Sequence, residues 1–365
     1  MALTYDDYLT DLKHAGDPDA DAVVRELLDN GQVNSVNELF REFGAADQDV
    51  PSQAPPVLAD YLEKTRSFPD WMESQRLDDI AEFFQHHHLA ASAIQATAGL
   101  VGTYLSPVGA KTLLSTHQLS QQPHRRLSQS TRLFMGMGDE DAFTDRSKLV
   151  PTCQKVRLVH AAIRELHRRS GEWDTQRDGA PVSQLYTAGA AVVFSVGALD
   201  AMERIGVSVT EREADGFYYA WRVVGHFLGI PDAYMPASRA EAKNLWDEAR
   251  DREWARSDEG VLLTRECIDL YESYMPPGLE GAVPAFLRLA LSDTYADMME
   301  VPRSAYDLGA DALSTGASAL LGSSATQNAA VRPVLDALST GVERVSREAF
   351  THGQETEPQM SDRIQ

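Results

Sequence analysis

Lys155-Val156-Arg157-Leu158-Val159-His160-Ala161-Ala162-Ile163-Arg164-Glu165-Leu166-His167-Arg168-Arg169 is the stretch whose reading decides the fold, and its spacing predicts one amphipathic helix. Val156, Val159, Ile163 and Leu166 recur at helical intervals and make an apolar seam. At about 100° per residue, His160 stands beside that seam, with Arg157 about 60° and Arg164 about 40° away. A histidine on an apolar wall, with guanidinium groups one turn before and after it, suits a ligated macrocycle with acidic side arms. Carboxylates pair well with guanidinium forks. His160 is therefore the candidate axial, metal-binding ligand of a haem. Arg157 and Arg164 are candidates to meet a propionate or to lock the ligand helix. The ordinary alternatives are a satisfied core histidine and a solvated arginine face.

Outward from this helix the chain reads as helical in both directions. Residues 4 to 45 predict two or three short helices, with Asp17 as a cap and Pro18 at a first helical position, and Asn30-Gly31 as a stop. Pro51, Pro55 and Pro56 mark a linker. Helical patterns follow from Leu77 to about Ala98, from Ala110 to Ser120, from His124 to Met137, and from about Thr152 to Ser170. Further ones run from Gln184 to Ile205 and from Thr210, with Glu213 completing a capping box, to Gly229. The remainder are Ser238 to Arg256, Glu259 to Tyr274, 281 to 300, and two within 308 to 350. Strict two-residue alternation is nearly absent, so the expected class is all-α. The expected organisation is an N-terminal helical arm and Pro-rich linker (1–58), a helical domain (59–351) and a tail without fixed structure (352–365).

The bulk numbers narrow the function. A chain of 365 residues, 43% hydrophobic and 24% charged, is an ordinary globular composition able to bury a large core. A formal charge of −22 disfavours nucleic acid as a partner. Two cysteines, Cys153 and Cys267, make no disulfide framework and fit a reducing compartment. The N-terminus lacks a secretion-signal pattern and no apolar run approaches the roughly 20 residues of a membrane span, so a cytoplasmic protein is expected. There is no Walker loop, dinucleotide-binding glycine turn, His-Glu-x-x-His or nucleophile elbow.

Other candidate chemistry lies on neighbouring segments. Arg126 and Ser130 are four apart on the helix predicted from His124 and share a face. Over a haem, such a cation and hydroxyl would act on bound dioxygen or position a substrate; the alternative is an exposed basic turn. Cys153, seven residues before His160, is a rival thiolate ligand or a buried structural thiol. His86-His87-His88 resembles a metal site, but consecutive helical residues diverge by about 100° and three in a row do not converge on one ion.

Several of these residues are similar to the signature of the latex clearing protein (rubber oxygenase) and MpaB-type oxygenase family. They are Arg126-Leu127 with Ser130, and Val156 to Arg164 around His160. Four more elements occur in the same order: Gly16-Asp17-Pro18 through Asn37-Glu38-Leu39, Phe68-Pro69-Asp70-Trp71, Gly179-Ala180-Pro181-Val182-Ser183-Gln184, and Trp221-Arg222-Val223-Val224-Gly225-His226-Phe227-Leu228-Gly229-Ile230. The resemblance implies a b-type haem in a globin-like all-α core with additional surrounding helices, with His160 as proximal ligand. It places the family's distal arginine and threonine on Arg126 and Ser130, and matches Arg164 to the arginine four residues beyond the ligand. A distal lysine of the rubber-cleaving members is here Gln129, and their upstream catalytic acid falls on Ala110, beside Lys111. The expected function is thus a haem b-dependent oxygenase or oxidase using dioxygen or peroxide on an apolar, terpenoid-like small molecule. Arg126, Ser130 and Gln129 are its candidate catalytic residues. The alternatives are a non-catalytic haem sensor or carrier, and a true polyisoprene-cleaving dioxygenase.

Overall fold

The computed structural model describes residues 3–115, 130, 132–304, 336–341, 344 and 360. Among them every regular element is helical. The central element is the helix Leu149–Ser170. It begins three residues before Thr152 because Pro151 falls in the first turn, where its missing N–H is no loss, and because the Ser147 hydroxyl accepts from Leu149 N and Val150 N at 3.1 and 3.3 Å. Gly171, in the left-handed region at φ 69°, ends it, a conformation glycine adopts without a Cβ penalty.

One side of this helix belongs to a core of its own. Leu158, Ala161 and Ala162 are buried with Val23, Val24 and Leu27 of the helix Pro18–Asp29 and with Phe40, Leu58, Tyr61 and Leu62. Asp17 and Pro18 begin the helix Pro18–Asp29 as expected, the Asp17 carboxylate accepting from Ala20 N. Packing does not lapse at residue 58, since the helix Pro56–Lys64 buries into the same cluster as the arm. Lys155 is 1% exposed, and its ammonium donates to the Phe40 and Phe43 carbonyls, both at 2.6 Å. That places a cation on the orphan carbonyls at the end of the helix Val33–Glu42. Of the tail, Met360 is described; it is buried here and exchanges two backbone hydrogen bonds with the Asn37 side chain.

A larger core fills the rest of the molecule. The helix Leu77–Ile94 packs along Glu211–Phe227, with Phe83 stacked on Phe217 at 4.3 Å. Gly216 permits that approach, because a Cβ there would lie 2.4 Å from the Asp79 carbonyl oxygen. Two long helices each contain one π-helical turn, Gln95–Gly99 and Val193–Gly197, and the two turns touch. Such turns insert an extra residue and frequently accompany functional sites.

Three expectations are revised. The segment 281 to 300 is two helices, Ala282–Leu291 and Asp293–Met298, broken at Ser292 with φ 75°. The helix expected from Ala110 starts at Pro107 and is described to Ser115. Against the expectation of no membrane-length apolar run, Gln184–Arg204 spans 21 residues with mean hydropathy 1.5. Its most apolar stretch is 67% buried inside the protein, and part of what remains lines the cavity described next. Its apolarity therefore serves the core and a cavity wall.

Candidate active site

The other side of the central helix opens onto a cavity. Val156, Val159, His160 and Ile163 form one wall, Ser130, Leu133 and Phe134 another, and the run Ala188 to Val193 a third. Its volume is about 350 Å³. His160 is half-buried there. Phe134, Phe194 and Trp221 close the interior as an aromatic group, Phe194 stacking on Trp221 at 5.6 Å and 18°.

The donors in the walls are mostly spent. Thr103, Thr112 and Thr187 give their hydroxyl protons to carbonyls within their own helices, and Tyr8 gives its proton to the Tyr234 carbonyl. Besides Arg250 Nε, which lies 3.6 Å from an Asp251 oxygen, two buried donors in the lining have no well-directed hydrogen bond: the Tyr5 hydroxyl, which has the Glu253 carboxylate beside it, and the Trp221 indole N–H. Buried polar groups are nearly always hydrogen-bonded, so these two point to an occupant that accepts hydrogen bonds.

These features fit a haem. An imidazole stands in an apolar wall, which is a haem-iron donor set. The run Ala188-Gly189-Ala190-Ala191 offers a face of small side chains, and a Cβ at Gly189 would meet nothing within 4 Å. An orphaned donor at Trp221 suits the acceptor edge of an anionic group.

The two arginines that flank His160 on the central helix lie elsewhere. Arg157, 7% exposed, makes a two-pronged ion pair with Asp17, at 2.6 and 2.9 Å. Arg164 pairs with Asp21 at 2.7 Å and donates to the Val182 carbonyl at 2.9 Å. Neither lines the cavity. Of the two roles weighed for them, propionate partner or helix lock, this geometry is that of a lock. Val182 itself is held at φ 46°, a strained backbone for a β-branched residue, and it does line the cavity. Gly229, with φ 79°, lies so close to Arg157 that a Cβ would be 2.6 Å from Nε. The Gly229 carbonyl also accepts from Gln184 Nε2 at 3.0 Å. Motifs scattered from residue 16 to residue 229 thus meet at one node behind the ligand helix.

The rival ligands separate from His160 in space. Burial pushes the Cys153 thiol up to about 12, so at neutral pH it carries its proton, and it is absent from the lining. His167 faces the Ser115 hydroxyl at 2.7 Å and packs on Trp173. His86 and His87 both approach one oxygen of Glu213, at 2.6 and 3.4 Å, while His88 turns towards Phe84 and Gly138. The three histidines therefore do not converge. Burial pushes the Glu213 carboxyl up, but hydrogen bonds from His86 and Thr210 outweigh it and hold the group at about 2.

Ser130 lines the cavity together with His160; Arg126, expected to share a helix face with Ser130, and Gln129 lie outside the described residues. Ala110 is fully buried and Lys111 is committed to Asp178 at 2.6 Å. Among the described residues, the carboxylate that reaches the cavity is Glu253, which the sequence did not single out. One signal was present. Leu245, Ala249 and Glu253 lie four apart beside Trp246 and Arg250, so Glu253 continues an apolar helical stripe.

Comparison with known proteins agrees with this arrangement. The model of the family described as ER-bound oxygenase mpaB/B'/rubber oxygenase, catalytic domain, matches residues 84–327. A rubber oxygenase from a Streptomyces species is 27% identical over 292 residues, covering 79% of this chain and 71% of that protein. The solved structure of latex clearing protein in its closed state superposes with a TM-score of 0.78 at 23% identity, over 92% of this chain and 91% of the other; at that identity it speaks for the fold. The chain, with its all-helical core and histidine-walled cavity, belongs to the MpaB/rubber oxygenase family.

Proposed function

We propose that this protein is a haem b-dependent oxygenase that uses dioxygen or peroxide to oxidise an apolar, terpenoid-like small molecule. The observation that carries the reading is the His160 imidazole in the wall of a mostly apolar cavity that Ser130 also lines. Haem, when bound, supplies the redox chemistry that activates the oxidant. His160 is the residue to hold its iron. The Arg157–Asp17 and Arg164–Asp21 pairs fix the rotation of the ligand helix, so the imidazole stays aimed at one place. Ser130 offers a hydroxyl that both donates and accepts, with Arg126 and Gln129 as its sequence neighbours. Phe134, Phe194 and Trp221 keep the interior apolar and exclude water.

The departures at Gln129, Ser130 and Ala110 argue against polymeric rubber as the substrate. No carboxylate stands at position 110 to serve as a general base, which brings hydroxylation, desaturation and radical coupling alongside C=C cleavage.

The absorption spectrum of the purified protein tests the reading. A Soret band is expected, lost in His160→Ala. Full haem occupancy with an unaltered spectrum in that variant would overturn the assignment. The ferrous–CO spectrum distinguishes an imidazole ligand from a thiolate at Cys153.

A further inference from the structure

The cavity has a second, polar end built from three elements far apart in the chain. Tyr5 opens the helix Tyr5–Leu12, Tyr186 lies on the helix Gln184–Val192, and Glu253 closes the helix Arg239–Glu253. All three line the cavity. The Tyr5 hydroxyl belongs to a residue only 3% exposed and has no well-directed hydrogen bond in the protein. The Glu253 carboxylate lies beside it and beside Tyr186. Burial, reinforced by Glu253, pushes the Tyr5 phenol far above its ordinary range, so it keeps its proton and acts as a donor.

A protonated phenol next to a carboxylate presents one donor and one acceptor at the end of an apolar chamber. A hydrocarbon would add neither an acceptor for the buried phenol nor a donor for the carboxylate. A carboxylate ligand would meet the like charge of Glu253, because the Arg250 guanidinium in the lining is engaged by Asp247 and Asp251. An ammonium has no lone pair to receive the Tyr5 proton. A hydroxyl satisfies both groups, accepting from Tyr5 and donating to Glu253.

We infer that Tyr5 and Glu253 form a subsite for the hydroxyl group of an otherwise apolar substrate, so that the substrate class is an apolar alcohol. This rests on the reading of the cavity as the substrate chamber and adds the polar group that orients the substrate within it. The Ser130 and His160 walls are then left to the hydrocarbon portion.

Isothermal titration calorimetry on the purified protein, with its cofactor as isolated, tests the subsite with geraniol and the deoxy hydrocarbon of the same skeleton. The wild type is expected to bind geraniol about tenfold or more tighter than the hydrocarbon, the scale of one charge-assisted hydrogen bond. Tyr5→Phe and Glu253→Leu should each reduce that preference to about threefold or less, with hydrocarbon affinity held within about twofold. Equal affinities in the wild type, or a preference unchanged in both variants, would overturn the subsite while leaving the cavity reading intact. Failure of both compounds to bind would overturn the cavity reading and the subsite with it.

Discussion

The two sides of the ligand helix contrast sharply. Behind it, Leu158, Ala161 and Ala162 are sealed against the N-terminal arm, and Arg157 and Arg164 are tied to Asp17 and Asp21. In front, Val156, Val159, His160 and Ile163 are only partly covered and face open volume. The rear is packed and paired, so stability resides there. The front is left incomplete, which is what binding a large planar group and a substrate requires. The comparison also shows what the family's sequence motifs do in this chain. Gly16-Asp17-Pro18, Arg157, Arg164, Val182, Gln184 and Gly229 gather at the rear node, and of these Val182 alone reaches the cavity.

The largest effect should come from cutting the rear clamp. Arg157→Ala leaves Asp17, 4% exposed, as an uncompensated buried charge, a change that costs about 3–5 kcal/mol. Urea denaturation should read this as a lower midpoint, while the Soret maximum of the folded fraction stays where it is in the wild type. A shifted maximum would mean that Arg157 touches the haem.

Leu158→Ala, on the sealed side, should cost about 2–5 kcal/mol. Ile163→Ala, on the open side of the same helix, should cost about 1 kcal/mol or less. Equal losses for the two, measured by the same denaturation, would erase the distinction between the faces.

The smallest effect is a pH dependence at the end of the helix. Hydrogen bonds from Arg168, helped by Arg169, hold the Glu165 carboxyl at about 2, below its ordinary 4.5. Because the folded value is depressed, the stabilisation is complete above about pH 4.5 and is lost as pH falls through about 2. Its size should be about 1 kcal/mol, since the arginines are substantially exposed. Glu165→Gln should lower stability at neutral pH by that amount and converge with the wild type near pH 2, as followed by thermal melts across pH.

How much was legible follows from the range of each interaction. Helix class, the Asp17–Pro18 start, the Thr210–Glu213 capping box and the apolar seam with His160 are set by residues within one or two turns of each other, and the sequence states them directly. The π-helical turns and the break at Ser292 escaped, because local spacing does not report where an extra residue is absorbed. The arginines show the limit most clearly. Periodicity placed Arg157 and Arg164 beside His160, but carboxylates from the arm, over a hundred residues earlier, drew them to the rear.

By itself, then, the sequence determined an all-helical chain, its caps and the one histidine on an apolar face, since these depend on local geometry and composition. The tertiary structure alone decided which side of that helix is open and which side is clamped. It also brought Tyr5, Tyr186 and Glu253 to one end of the cavity. Those placements arise from packing between helices distant in the chain, where side chains are directed by the burial of neighbours and not by their own periodicity.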